Sequence, residues 1–376
     1  MINLINMGSD IGNLTINAFN AIIESDVIVN YDNIDMSDLD TYLKGKEIIC
    51  LDEIESVEDR DTAGIDLDES ESIEIEADVY SRLNEKYSKI ELAVSKSSDN
   101  NVSIICSNGT KIFGIANLLI QITSKYNNLE LKIYPAVSPI DYSSAVLGAP
   151  FNDLVAIDLN NPISSDRELR NKIRFALKSN LVLFIHNPVG ENFKKLKKIV
   201  VKFNDELLSG IVRDDYSYEI CKFKDIDEES LEEGSSLVIG NRLTHELEDY
   251  MVTSSDYIVE PKFISQNIDF FERYLKDETP KGLDYDCEYL PCHKTLEACD
   301  FCYCPFYPCA DGVTGGEWIK DKDVWSCQHC DWIHLEEPCK AIRKGLGKIL
   351  EDKDDLKSKH IELLKLRREC LLKTLK

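Results

Sequence analysis

Ile2-Asn3-Leu4-Ile5-Asn6, followed by Met7-Gly8-Ser9-Asp10, then Thr15 to Glu24, then Asp26-Val27-Ile28-Val29-Asn30-Tyr31, is the stretch that decides the fold. The first run is short, apolar and β-rich and reads as a buried strand; the tetrapeptide after it is a polar loop. Thr15 to Glu24 has helical patterning, and Asp26 to Tyr31 reads as the next strand. Strand, helix and strand in this order make a βαβ unit. Val102 to Cys106, the Ser107-Asn108-Gly109 turn and a helix from Phe113 to Ser124 repeat it. Leu131 to Tyr134 is expected to open a second set, continued by strands at Leu154 to Ile157, Leu181 to Ile185, Gly210 to Arg213 and Leu237 to Ile239. The rhythm is that of an α/β protein, and no internal repeat interrupts it.

Composition bounds the rest. A chain of 376 residues, 43% hydrophobic, suffices for two core-forming domains and an appendage. The net charge of -26 disfavours nucleic acid and anionic membranes, which select basic patches. No run of eighteen apolar residues occurs and the chain opens on a strand rather than an export signal, so a cytoplasmic protein without a membrane partner is expected. The expected divisions are an N-terminal α/β domain at 1–130, a C-terminal α/β domain at 131–262, a helical linker at 263–286, a cysteine-rich metal-binding domain at 287–340 and a helical tail at 341–376. Within the first, 52–78 holds thirteen acidic side chains and one basic one, which predicts a solvated excursion.

Nine of the thirteen cysteines lie between Cys287 and Cys339. In a reducing compartment such density points to metal ligands rather than disulfides. The pairs Cys299-x2-Cys302 and Cys327-x2-Cys330 have the spacing by which two knuckles close one tetrahedral site. Cys292, Cys304, Cys309 and His334 complete the candidate ligand set; Cys287, His293 and Cys339 stand at its fringe. Two zinc ions would use eight such ligands, whereas an iron–sulfur cluster would take four thiolates; the spacing favours zinc. About fifty residues with this many thiols are too few to be stable on packing alone, so metal would supply folding free energy. A nucleic-acid reader is disfavoured, because Lys320 and Lys322 are balanced by Asp321 and Asp323.

Six segments stand in a distinctive order. They are Asn6 to Asp10 before Leu14-Thr15 and Ser25 to Val29; Cys106 to Ala116; Pro135-Ala136-Val137-Ser138 with Leu147-Gly148-Ala149-Pro150; Ile185-His186-Asn187-Pro188; Gly210-Ile211-Val212-Arg213; and Leu237 to Asn241. This collinearity resembles the tetrapyrrole methylases, most closely the precorrin-3B or cobalt-factor III carbon-17 methyltransferases of cobalamin synthesis, over residues 1 to 258. Cys299 to His334 resembles a cysteine-rich small domain attached to some corrin-synthesis enzymes. The resemblance implies two α/β domains with S-adenosylmethionine in the trough between them, a tetrapyrrole across a wider cleft, and a homodimer. It implies methyl transfer at carbon-17 with contraction of the macrocycle. Carried over by position, Met7, Gly8, Ser107, Asn108, Gly109, Ile112, Gly114, Ser138 and His186 contact the cofactor, and Asp10 is the carboxylate placed to exchange a proton. The first loop departs from the family where Ile5, Met7 and Ser9 replace glycines, and Gly109 stands where the family has aspartate. Plainer roles compete: Asp10 as a helix cap, Ser107 and Ser138 as turn residues, His186 as a structural histidine. The alternative function is a non-catalytic homologue whose metal module handles metal or an intermediate.

Overall fold

The computed structural model describes residues 1–8, 11–31, 34–50, 87–88, 90–106, 115–126, 128–159, 165–213, 215–254, 265–320, 322 and 324–375. The acidic stretch 52–78 lies outside them. The chain divides into two compact units, one built on Met1–Val146 together with two short later segments that include Tyr216, the other holding most of the remainder to the C-terminus.

The first unit is a five-stranded parallel sheet. Its elements are β1 (Ile2–Asn6), α1 (Ile16–Glu24), β2 (Val27–Asn30), α2 (Asp40–Leu43), β3 (Glu47–Cys50), α3 (90–96), β4 (Val102–Cys106), α4 (Ala116–Thr123), β5 (Leu131–Tyr134) and α5 (Pro139–Leu147). The spatial order is β3-β2-β4-β1-β5. All five residues of β1 and of β4 are buried, because side chains alternate between two covered faces. Leu4, Val27, Val29 and Ile104 join Leu119 of α4 and Ile90 of α3 on one face. Ile5, Ile28 and Ile105 meet Ala18 and Ile22 of α1 on the other. Thr15 caps α1 by accepting a hydrogen bond from the Ala18 N–H at 3.2 Å.

One expectation fails here. Leu131 to Tyr134 does not open a second set; it pairs parallel with β1, from Ile2 opposite Leu131 to Ile5 opposite Tyr134. The crossover from β4 passes over β1 to its free edge, so the first unit reaches Val146 rather than 130.

The second unit begins with β6 (Gly148–Ala149), β7 (Leu154–Asp158), α6 (Asp166–Lys178), β8 (Val182–His186), α7 (Gly190–Val200), β9 (Leu208–Val212), β10 (Tyr218–Lys222), β11 (Ser236–Ile239), β12 (Thr244–Leu247) and β13 (Tyr250–Thr253). A five-stranded sheet of order β10-β9-β11-β8-β7 and a small sheet of order β12-β13-β6 result. In the former, β10, β9, β11 and β8 pair antiparallel in sequence. Gly210 in β9 leaves room for Leu147, whose Cδ atoms would stand 2.7 Å from a Cβ built there.

The C-terminal part continues with α8 (Ser265–Leu275), the hairpin β14 (Glu317–Ile319) and β15 (Val324–Ser326), α9 (Glu336–Leu346), α10 (Asp355–Ser358) and α11 (His360–Thr374). The expected linker, cysteine-rich segment and tail share one core. Phe270 and Phe271 of α8, Phe301, Phe306 and Trp332 of the cysteine-rich segment, Ile342 and Leu346 of α9, Leu363 and Leu371 of α11, and Leu243 beside the second sheet are mutually packed and at most 6% exposed. The segment is therefore not held by thiols alone, since three helices supply it with apolar burial.

Candidate functional site

In the first unit the connection after β1 leads to β2, two places to one side, while that after β4 leads to β5, two places to the other. Adjacent parallel strands whose connections part in opposite directions leave a crevice outside their carboxyl ends, the usual ligand position in such sheets. Met7 and Gly8 follow β1 at this point. The Met7 N–H donates to the Cys106 carbonyl at 3.0 Å, and the Met7 side chain is packed into the α1-side core. Gly8 has φ +71°, and a Cβ there would stand 2.6 Å from Cβ of Asn13, so the turn requires glycine.

The segment after β5 arrives at the same end. Leu14 bridges Ala136, and the Val137 N–H donates to the Asn13 carbonyl at 3.3 Å. Ser138 is engaged locally: its hydroxyl donates to Asp141 Oδ2 at 2.6 Å and accepts from the Asp141 N–H at 3.2 Å, a cap on α5. Asn13 reaches the Tyr216 hydroxyl at 3.3 Å, and Tyr216 packs edge-on against Tyr142. Asp10, Ser107, Asn108, Gly109, Ile112 and Gly114 lie outside the described residues. His186 ends β8 in the second unit; it is 5% exposed, with Nδ1 3.4 Å from Ser236 Oγ. Of the described cofactor positions, Met7, Gly8 and Ser138 share one sheet end, and Met7 and Ser138 have their side chains committed to packing and capping. What that end offers a ligand is backbone, and a cofactor held by backbone groups fits it.

The thiols of the second unit separate into two neighbourhoods, and not as the spacing suggests. Cys299 has Cys292, Asp284 and Cys287 as charged neighbours, and Cys302 has Cys299, Cys287, Cys292 and Asp284. Those of Cys304 are Cys327, Cys309 and Cys330. The pairs Cys299/Cys302 and Cys327/Cys330, expected to close one site, thus face different partners. Burial first, then the neighbouring thiols, pushes Cys302 up to about 11 and Cys327 up to about 12; without a cation they stay protonated.

Polar side chains stand beside the second set. The Cys330 thiol donates to Thr314 Oγ1 at 3.1 Å, and the buried Trp325 Nε1 has no hydrogen-bond partner among the described residues. The Cys330 N–H closes a turn onto the Cys327 carbonyl at 3.1 Å. Gly315, at φ +93°, brings the β14 hairpin against this turn, where a Cβ would collide with the His329 carbonyl. Arg367 of α11, 5% exposed, pairs with Asp311 and donates to Thr314 at 3.2 Å. Burial opposes its charge, but Cys309 and Asp311 outweigh burial and raise its pKa. Burial likewise opposes ionisation of Asp311, yet Arg367, Ser254 and the Val313 N–H together hold its carboxyl below the usual range.

A cavity of about 170 Å³ opens among Cys302, Cys304, Cys309, Cys327, Cys330 and Arg367. Soft thiols in fours fit a thiophilic metal. Among the described residues, no three His, Cys, Asp or Glu groups converge to hold an ion as they stand, so binding must draw the side chains inward.

His334, a member of the expected ligand set, lines the same cavity together with His293. Its ring stacks on His293 at 4.1 Å between centroids, and its Nδ1–H donates to the Ala298 carbonyl at 3.2 Å. Burial, then the neighbouring His293, lowers its pKa from 6.5 to about 4. The unfolded chain therefore takes up a proton that the folded one refuses. Stability from this group is whole above pH 6.5 and falls as the pH drops toward 4, by on the order of 3 kcal/mol. Urea midpoints measured across that window should decline in the parent chain and lose this slope in His334→Gln; an unchanged slope refutes the assignment.

Sequence reading left Cys287 at the fringe and missed Arg367 and Asp311. Arg367 was recoverable: Leu363, Arg367, Cys370 and Leu371 fall at i, i+4, i+7 and i+8, one buried helix face. Cys339, also at the fringe, is buried and its thiol donates to the Ile333 carbonyl at 2.9 Å, a packing role.

Comparison with known proteins agrees with this geometry. The crystal structure of the methyltransferase CobJ superposes with a TM-score of 0.51 at 16% identity, covering 67% of this chain and 99% of that one. Residues 280–357 match the family model of a cysteine-rich small domain. The body thus has the fold of that methyltransferase, with a cysteine-rich domain attached. A probable cobalt-factor III C(17)-methyltransferase from Methanothermobacter thermautotrophicus is 32% identical over 382 residues, spanning 99% of this chain and all of the relative. Another of the same description from Methanocaldococcus jannaschii is 27% identical over 188 residues, 45% of this chain and 76% of its own. The chain belongs to the cobalt-factor III C(17)-methyltransferase family.

Proposed function

We propose that this enzyme transfers a methyl group from S-adenosylmethionine to carbon-17 of a cobalt-containing tetrapyrrole, with contraction of the macrocycle, in cobalamin biosynthesis. The observation that carries the reading is the 32% identity that runs through the cysteine-rich region as well as the body. The switch point between β1 and β4 supports it by offering strand-end backbone at Gly8 beside the chain that follows β5.

When bound, S-adenosylmethionine supplies a methyl group on a sulfonium, so its leaving group is built in. The chain's task is to hold both partners in line and exclude water. Gly8 lets the backbone approach closely, and Ser107, Asn108, Gly109, Ile112 and Gly114 are the further residues assigned to the cofactor. Asp10 is the carboxylate assigned to proton exchange during contraction. The cysteine-rich domain holds zinc or an iron–sulfur cluster through the thiols that face one another there. The enzyme works as a homodimer in the cytoplasm; among the described residues none of the cysteines forms a disulfide and no helix is long and apolar enough to cross a membrane.

Equilibrium dialysis of S-adenosylmethionine against the metal-replete full chain, with S-adenosylhomocysteine as competitor, tests the reading. Saturable, competed binding is expected, with a product one methyl group heavier from cobalt-factor III. Absence of saturable binding overturns the enzyme reading in favour of a non-catalytic homologue.

A further inference from the structure

We propose that the cysteine-rich domain holds two separate metal ions, each bound by four thiolates, the first by Cys287, Cys292, Cys299 and Cys302 and the second by Cys304, Cys309, Cys327 and Cys330. The proposal deepens the metal reading above and rests on it. It divides the ligands between Cys302 and Cys304, so the two sites follow one another along the chain.

Local geometry supports this division. The Cys302 thiol donates to the Cys299 carbonyl at 3.4 Å, which fixes these two in one turn. The Cys299 sulfur accepts from the Asp284 N–H at 3.5 Å, three residues before Cys287. The Leu290 N–H closes onto the Cys287 carbonyl at 3.2 Å, turning the chain back toward Cys292. On the other side, the Tyr307 N–H closes onto the Cys304 carbonyl at 3.3 Å, carrying the chain toward Cys309. Gly315 and Gly316 permit the hairpin to approach; Trp325 packs on Gly316, and Thr314 accepts from the Cys330 thiol.

Charge supports it too. Four thiolates around a divalent ion leave two negative charges, which a buried site needs to offset. Arg367 supplies one positive charge beside Cys309 and Cys304. In the first set Cys292 is exposed and Cys287 half-buried, so water reaches that side of the set and it depends less on such a partner. On coordination each thiol gives up its proton to solvent, four per ion, with no change of oxidation state. His293, His334 and Cys339 take no part.

Elemental analysis of the anaerobically purified full chain tests the proposal, with ¹¹³Cd NMR of the cadmium-exchanged protein. Two ions per chain and two resonances of all-sulfur coordination are expected. Cys287→Ser with Cys292→Ser should remove one ion and one resonance, and Cys327→Ser with Cys330→Ser the other. Loss of all metal in either double variant would mean a shared site and overturn the division while leaving the metal reading intact. A sulfur–nitrogen resonance, or an iron chromophore in place of the second ion, would overturn it equally. Absence of bound metal sinks both readings. Should a double variant precipitate, the parent chain's ion count and number of cadmium resonances decide.

Discussion

Arg367→Met is expected to destabilise the second unit by about 3–5 kcal/mol, the cost of leaving one member of a buried ion pair without its partner. Asp311 would lose its guanidinium while Ser254 and the Val313 N–H remain, too little to stabilise a carboxylate that burial already disfavours. Thr314 would lose a donor at 3.2 Å, and Trp332 the cation lying 5.9 Å over its ring. Denaturant midpoints with an unchanged m-value would measure the loss. A double variant, Arg367→Met with Asp311→Leu, should recover much of it, because removing both charges removes the penalty as well as the attraction. Additive losses in the two single variants would show that the pair is not the source. For Asp311 the sign of the pH effect follows from a lowered pKa: its contribution is complete above 3.8 and vanishes only as the pH falls below that value.

How far the sequence could be read depended on whether burial or proximity set the answer. β1, β2 and β4 were legible because a strand covered on both faces must be apolar throughout, and their residues are uniformly buried. β3 and β10 were not: Glu47–Cys50 and Tyr218–Lys222 lie at sheet edges, largely exposed, and mix charges with β-branched residues. β5 was recognised as a strand but assigned to the wrong sheet, since local pattern says nothing of which edge a crossover returns to. The same limit governs the thiols. Two pairs of equal x2 spacing look like partners, yet which knuckle meets which is set by how the chain between them packs. His334 has ligand spacing from Cys330 and lines the thiol cavity, with its ring stacked on His293. His186, matched to a cofactor position, is buried at the end of β8 against Ser236. Ser138 matched another and caps α5, where a turn residue was the plainer role weighed for it.

Phe271→Ala is expected to cost about 3–5 kcal/mol, the usual loss when a buried phenylalanine is cut back. The position decides what the cysteine-rich domain is. Read as part of a linker, Phe271 would tolerate truncation with a change near zero. Instead it is fully buried, 5.2 Å from Phe270 and 5.6 Å from Tyr274 between ring centroids, and Tyr274 in turn meets Phe301 among the cysteines at 5.7 Å. Asn267 of the same helix donates to the Cys304 carbonyl at 3.2 Å, at the head of the second thiol set. A cavity at Phe271 therefore loosens the support on which that set is hung. Thermal unfolding should fall in Phe271→Ala with and without bound metal, whereas a domain held by metal alone would show the loss only after chelation. The comparison separates two sources of order in one small domain: aromatic burial shared with α8, α9 and α11, which exists before any ion arrives, and coordination, which closes the thiols onto it afterwards.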